Sequence, residues 1–176
     1  MTNDWSFENW CEGSLCEWTS QGGVRKADTW HSEDLAVAFL TPGSSVSQLL
    51  NGNAAHCFLF DTITDVQPQA QLTLLLDFND DGTPDFEQQL AGVNWKSVLI
   101  VVPAPVEYQN VRFTVVKKGE GRAVLAQLRA VSRGDCGGEP TRLRDGSTCS
   151  ADDVCEANHR CLAGRCSSLP AVSRPE

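Results

Sequence analysis

Four oxygen-bearing side chains fall at near-alternate positions around one glycine: Asp77, Asn79, Asp81 and Asp85 in the run DFNDDGTPD, with Gly82 between them. Hard cations are held by carboxylate and amide oxygens spaced in this way, around a glycine that lets the backbone turn sharply. Ca²⁺ is therefore the cofactor this segment could bind. An EF-hand is excluded, because the twelfth position counted from Asp77 is Gln88 rather than a bidentate glutamate, and the flanks read as strands. What remains is a shorter DxNxDGxxD loop, made of residues that also build ordinary turns.

A second candidate chemistry is sugar stacking. Trp5, Trp10 and Trp18 crowd the segment WSFENWCEGSLCEWT, and Trp30 follows. Indole rings can form a platform for a glycan, or they can serve as core or seal beside a sheet edge. Catalysis has less to stand on. His31, His56 and His159 are scattered and none belongs to a nucleophile motif. Asp85 and Glu87 are a carboxylate pair of the kind glycosidases use, yet they sit on one strand at a hairpin tip with no evident cleft. No catalytic residue is assigned, and no enzyme is expected.

The elements that must position these residues are strands. In QAQLTLLLDFNDDGTPDFEQQL, Leu72, Leu74, Leu76 and Phe78 point one way and Gln71, Thr73 and Asp77 the other, the period of a sheet with one buried face. The acidic run then turns the chain into a more polar strand, Phe86 to Leu90, so the candidate ion loop is a hairpin tip. Further strands are expected over Val24 to Asp28, Asp34 to Thr41, Val46 to Leu50 and His56 to Thr64. Trp95 to Pro103, Tyr108 to Lys118 and Arg122 to Val131 complete the set, the last with Val124, Ala126, Leu128 and Ala130 inward. Eight to ten strands without an amphipathic helix predict an all-β fold. Its natural form is a two-sheet antiparallel sandwich, because only a second sheet can cover the apolar faces.

Composition narrows the function classes. The chain of 176 residues carries a formal net charge of −9, concentrated up to Cys136, where 9 Lys/Arg face 17 Asp/Glu. An acidic body disfavours nucleic acid and anionic membranes, which are bound by clustered cations. Eight cysteines with no CxxC pair suit disulfides in an oxidising compartment. The start, MTNDWSFENW, lacks the features of an export signal, so an extracellular or cell-surface location is expected with the signal absent from this chain. No apolar run approaches the length of a membrane span. Cys11 and Cys16 could close a very short loop. After Cys136 the alternation stops, and Cys149, Cys155, Cys161 and Cys166 fall at nearly even intervals, with all three pairings open. Residues 1–136 are thus expected to form the sandwich and 137–176 a cysteine-rich module stabilised by its bridges.

The order of landmarks resembles the MAM domain, an extracellular jelly-roll sandwich. The residues that carry it are Phe7 and Glu8, Leu15, Cys16 and Trp18, the strand led by Cys57, Trp95 before a strand, NVRFTVVKKG, and RAVLAQLRAVSRGDC ending in Cys136. Two departures stand out: Trp5 replaces the usual first cysteine, and Ala126 and Gln127 replace a closing acidic pair. The resemblance implies a jelly-roll-like sandwich used for adhesion or partner recognition, with Cys57 bonded to Cys136. The tail resembles small cysteine-rich repeats of bacterial, especially myxobacterial, surface proteins, which implies pairing of Cys149 with Cys161 and Cys155 with Cys166.

The leading expectation is a non-catalytic extracellular recognition or adhesion module whose partner is a protein or a glycan. The alternative is a carbohydrate-binding module with a structural Ca²⁺, and a sandwich glycoside hydrolase ranks third.

Overall fold

The computed structural model describes residues 7, 9–28, 35–51, 57–90, 96–105, 108–133, 144–149, 155 and 159–168. In chain order the strands are β1 (Trp10–Cys11), β2 (Ser14–Leu15), β3 (Thr19–Gln21), β4 (Val24–Asp28), β5 (Leu35–Phe39), β6 (Ser45–Asn51) and β7 (Cys57–Val66). They continue with β8 (Ala70–Phe78), β9 (Phe86–Leu90), β10 (Lys96–Pro103), β11 (Asn110–Gly119), β12 (Ala123–Arg133), β13 (His159–Leu162) and β14 (Arg165–Ser168). No helix occurs among the described residues.

Two five-stranded antiparallel sheets face each other, ordered β10-β7-β12-β5-β4 and β3-β6-β11-β8-β9. The chain changes sheet between most successive strands, so the sandwich is closed by long-range pairing, as in jelly rolls. Between the sheets lie the alternate residues that the sequence marks as apolar. Leu72, Leu74, Leu76 and Phe78 of β8 and Val111, Phe113 and Val115 of β11 meet Phe58 and Phe60 of β7 and Val37 and Phe39 of β5. Rings interlock across the gap, Phe60 with Phe113 at 5.9 Å and Phe58 with Phe78 at 6.1 Å between centroids. Each such side chain contributes about 1.5–3 kcal/mol relative to exposure.

One expectation is corrected here. Val124 and Ala126 do not join Leu128 and Ala130 in the core. A bulge between Leu125 and Gln127 inserts one residue into β12 against β7 and shifts the alternation by one. Ala123, Leu125, Leu128 and Ala130 face inward, while Val124 and Ala126 pack with Ala27, Ala36 and Ala38 on the outer side of the same sheet.

The turn after β11 depends on glycine at one position. Gly119 has φ of +73°, and a Cβ there would come 2.2 Å from the Gln69 carbonyl oxygen. Beside it the fully buried Lys117 donates from Nζ to the Gly119 carbonyl at 2.5 Å, closing that end of the sandwich with a polar contact.

Disulfides fasten both ends of the chain. Cys11–Cys16 closes the β1–β2 hairpin with a Cα separation of 5.2 Å. In the tail, Cys149–Cys161 and Cys155–Cys166 hold the β13–β14 hairpin in its own small buried cluster. These are the first-to-third and second-to-fourth pairings. Cys57 is disulfide-bonded, and Cys136 lies outside the described residues. Among the described residues no helix is long and apolar enough to cross a membrane.

Candidate functional site

The four candidate ion ligands sit at the β8–β9 turn, where each accepts at least one backbone N–H. Asp77 Oδ1 accepts from the Asp81 N–H at 3.0 Å and its Oδ2 from the Gly82 N–H at 2.8 Å. Asp85 Oδ2 accepts from the Phe78 N–H at 2.8 Å, Asn79 Oδ1 from the Gln109 N–H at 2.8 Å, and Asp81 Oδ1 from the Thr83 N–H at 2.9 Å. Asn79, Asp80 and Gly82 adopt positive φ, so the backbone N–H groups turn inward and claim the side-chain oxygens. Among the described residues, the one trio of His, Cys, Asp or Glu ligand atoms within 4.8 Å of one another is Cys149, Cys155 and Cys166, whose sulfurs form disulfides. Asp77, Asp81 and Asp85 thus hold the backbone of the turn and of Phe78 beside it, and Asn79 ties the turn to Gln109.

Asp80, which sequence reasoning passed over, is the carboxylate that leaves the turn. It meets Arg112 of β11, Nε to Oδ1 at 2.5 Å and Nη2 to Oδ2 at 2.9 Å. Hydrogen bonding from Arg112 holds the Asp80 carboxyl below the usual carboxylate range, and the same bonds push the Arg112 guanidinium higher. The pair of carboxylates considered for glycoside cleavage is divided between other duties. Asp85 caps the Phe78 N–H, and Glu87 accepts from Lys118 Nζ at 2.7 Å.

The tryptophans divide as well. Trp18 is 5 % exposed, with its ring 4.9 Å from Phe7 and 5.6 Å, edge-on, from Phe113. It is a core residue and offers no face to a ligand. Trp10 is half-buried against the core, and its indole N–H donates to the Phe7 carbonyl at 2.8 Å. Trp5 and Trp30 lie outside the described residues, as do His31 and His56.

The surface that remains open is a sheet face. The outer side of β10-β7-β12-β5-β4 is apolar and closed over its middle strands, where Leu59, Ala36, Ala38, Val124 and Gln127 are buried, and it opens at its edge strands, where Arg25, Val101 and Pro103 are exposed. The outer side of β3-β6-β11-β8-β9 is more polar. Register lays two rows across its five strands: Thr19, Ser47, Thr114, Leu75 and Glu87 in one, and Gln21, Ser45, Val116, Thr73 and Gln89 in the other. Ser47 and Thr73 are buried, whereas Gln21, Glu87 and Gln89 are exposed, so short hydroxyl side chains form a floor beneath longer polar ones. Arg112–Asp80 bounds the face at the β8–β9 turn, and Lys118–Glu87 crosses it nearer the other end. Hydroxyl and amide groups in rows offer donors and acceptors to a polar ligand lying across the strands. Alternation marked the outward positions of each strand; which of them become neighbours required the register.

No family model and no curated protein matches this chain in sequence. Solved structures match it in shape. TmCBM61, determined with β-1,4-galactotriose, superposes with a TM-score of 0.53 at 17% identity, covering 69% of this chain and 92% of its own. A CBM4 module gives a TM-score of 0.55 at 12% identity, over 76% of this chain and 100% of the other. The carbohydrate-binding module CBM6cm-2 of Cellvibrio mixtus lichenase 5A, in complex with cellotriose, gives 0.50 at 13% identity, over 66% and 92%. The fold is the jelly roll of these modules. The likeness fixes the architecture, an all-β jelly-roll sandwich, and leaves the MAM resemblance without a matching family model.

Proposed function

We propose that this chain is a non-catalytic, extracellular glycan-recognition module that holds an oligosaccharide across the strands of its open face. The observation that carries the reading is the contrast between the two outer faces. One is closed over its middle strands by alanine, valine and leucine, and the other carries rows of hydroxyl and amide side chains across five strands, with Thr19, Gln21 and Gln89 exposed. Such rows suit a ligand made of repeated hydroxyl groups, which is recognised by many modest hydrogen bonds. Support comes from the shared fold of modules solved with β-1,4-galactotriose and with cellotriose. The disulfides and acidic charge accord with an oxidising, extracellular setting and with a partner that is not nucleic acid. A protein partner on the same face, the adhesion reading, is the second possibility. Ca²⁺ has no part in this proposal.

The test is binding of the whole chain to a panel of soluble neutral β-linked oligosaccharides, alongside Thr114→Arg. That substitution places a long cation in the centre of the face without touching the core. At least one ligand should bind, the variant should lose at least tenfold in affinity with an unchanged thermal midpoint, and no ligand should be hydrolysed. A panel without a binder, or binding that survives Thr114→Arg, overturns the assignment; release of new reducing ends overturns its non-catalytic part.

A further inference from the structure

Three outward side chains of the open face are buried, Ser47, Thr73 and Asp77, and Thr73 is the deepest of them. Thr73 is 3 % exposed, although its strand neighbours on that side, Gln71 and Leu75, are exposed and half-buried. The register explains the cover. Lys118 stands beside Gln71 on the β11 side of β8, and Glu87 stands beside Leu75 on the β9 side. Gln71, Thr73 and Leu75 are successive outward positions of β8, so a line from Lys118 to Glu87 passes over Thr73. That line is occupied by the ion pair, Nζ to Oε1 at 2.7 Å. Val116 and Gln89 flank Thr73 on the two neighbouring strands. A salt bridge therefore spans from the third strand of the sheet to the fifth and roofs the fourth.

We propose that the Lys118–Glu87 pair is the specificity element of the face, a strut that determines how much of the floor a glycan can use. This rests on the glycan reading above. With the strut closed, the accessible floor runs over β3, β6 and β11, where Thr19 is exposed and Ser45 and Thr114 are half-buried. Opened, it adds the Thr73 hydroxyl and Gln89, and the run across the sheet grows from about 10 Å to about 19 Å at the usual strand spacing. The strut is cheap to open. Its side chains are 52% and 58% exposed, and ion pairs in that setting are weakened by water and by salt. Both partners are flexible, and each released head could turn to a sugar hydroxyl.

The experiment compares the wild-type chain with Lys118→Met, Glu87→Gln and the double variant, on a neutral β-linked oligosaccharide series of increasing length. Lys118→Met keeps the stem and Glu87→Gln keeps the shape, so thermal midpoints should match. In the wild type the gain in affinity with length should level off early. In each variant it should continue to longer oligosaccharides, giving at least threefold tighter binding of the longest and no change for the shortest. The double variant should equal the singles, and raised salt should move the wild type toward them. An unchanged length profile in all variants overturns the proposal while leaving the glycan reading intact. If the wild type binds no glycan, the functional reading fails by itself, and the strut is judged from the Thr73 γ-methyl resonance. That signal should shift in the same direction in both single variants and in the salt-treated wild type; an unmoved signal overturns the strut.

Discussion

Arg112 and Asp80 grip each other through two side-by-side hydrogen bonds, tying the start of β11 to the turn that leaves β8. The two residues are 32 positions apart in the chain, and the contact joins a sheet strand to a hairpin tip at a bidentate, partly exposed site. It stabilises the rim of the open face.

That pair makes the rim sensitive to acid. The folded-state pKa of Asp80 is lowered, chiefly by hydrogen bonding from Arg112. A depressed carboxyl contributes stability that is complete above its unfolded value of about 3.9 and is lost as pH falls through the lower folded value. Unfolding free energy of the wild type should therefore fall below about pH 4 more steeply than that of Asp80→Asn. Denaturant melts between neutral and strongly acidic pH measure the difference, and parallel curves would remove Asp80 from the account.

Asp77 supplies both carboxylate oxygens to backbone N–H groups of the turn while 7 % exposed. Replacing it with alanine strands two donors, and a loss of about 1–3 kcal/mol is expected. The loss should be equal in chelator and in millimolar Ca²⁺, because the carboxylate serves the backbone. A wild-type midpoint that rises with Ca²⁺, with the rise abolished in Asp77→Ala, would restore the ion site that the residue spacing suggests.

Trp18 fills the space between Phe7 and Phe113. Trp18→Ala should destabilise the sandwich by about 3–5 kcal/mol through loss of buried surface and the cavity left behind. Trp18→Phe should cost clearly less. Neither outcome depends on a ligand, so equilibrium unfolding alone decides between a core residue and a stacking platform.

The tail's bridges enclose segments with sequence separations of 12 and 11. Chain-entropy reasoning gives each loop of that size about 3 kcal/mol. Substituting serine at Cys149 and Cys161 together should abolish amide protection in β13 and β14. The main unfolding transition of the sandwich should stay in place, as expected if residues 137–176 form a separate unit. A shift of both transitions together would join the tail to the sandwich.

Much of the fold was legible because alternation is a local property. The inward residues of β8 follow from period two, and the limits of β4 and β9 match the expected strands at both ends. Inside β12 the same reasoning failed. The bulge at Leu125/Gln127 depends on how β7 pairs with it, and one inserted residue exchanged the faces of Val124 and Ala126.

The turn shows the same limit in chemical form. Asp77, Asn79, Asp81 and Asp85 have the spacing of cation ligands and equally the spacing of side chains that cap turn N–H groups. In the structure Asp77, Asp81 and Asp85 accept N–H groups of the turn and of Phe78 beside it, and Asn79 accepts the N–H of Gln109, contacts that spacing along the chain does not show.

The amino-acid order by itself determined the strands, their buried sides, the acidic hairpin and the disulfide-rich tail, since each follows from neighbours a few residues apart. Only the tertiary structure decided that Arg112 meets Asp80, that Lys118 reaches Glu87 over Thr73, that Trp18 is core, and that one outer face gathers polar rows while the other is closed over its middle strands. Those relationships join residues far apart in the chain, and strand order and register, set by how the whole core packs, bring them together.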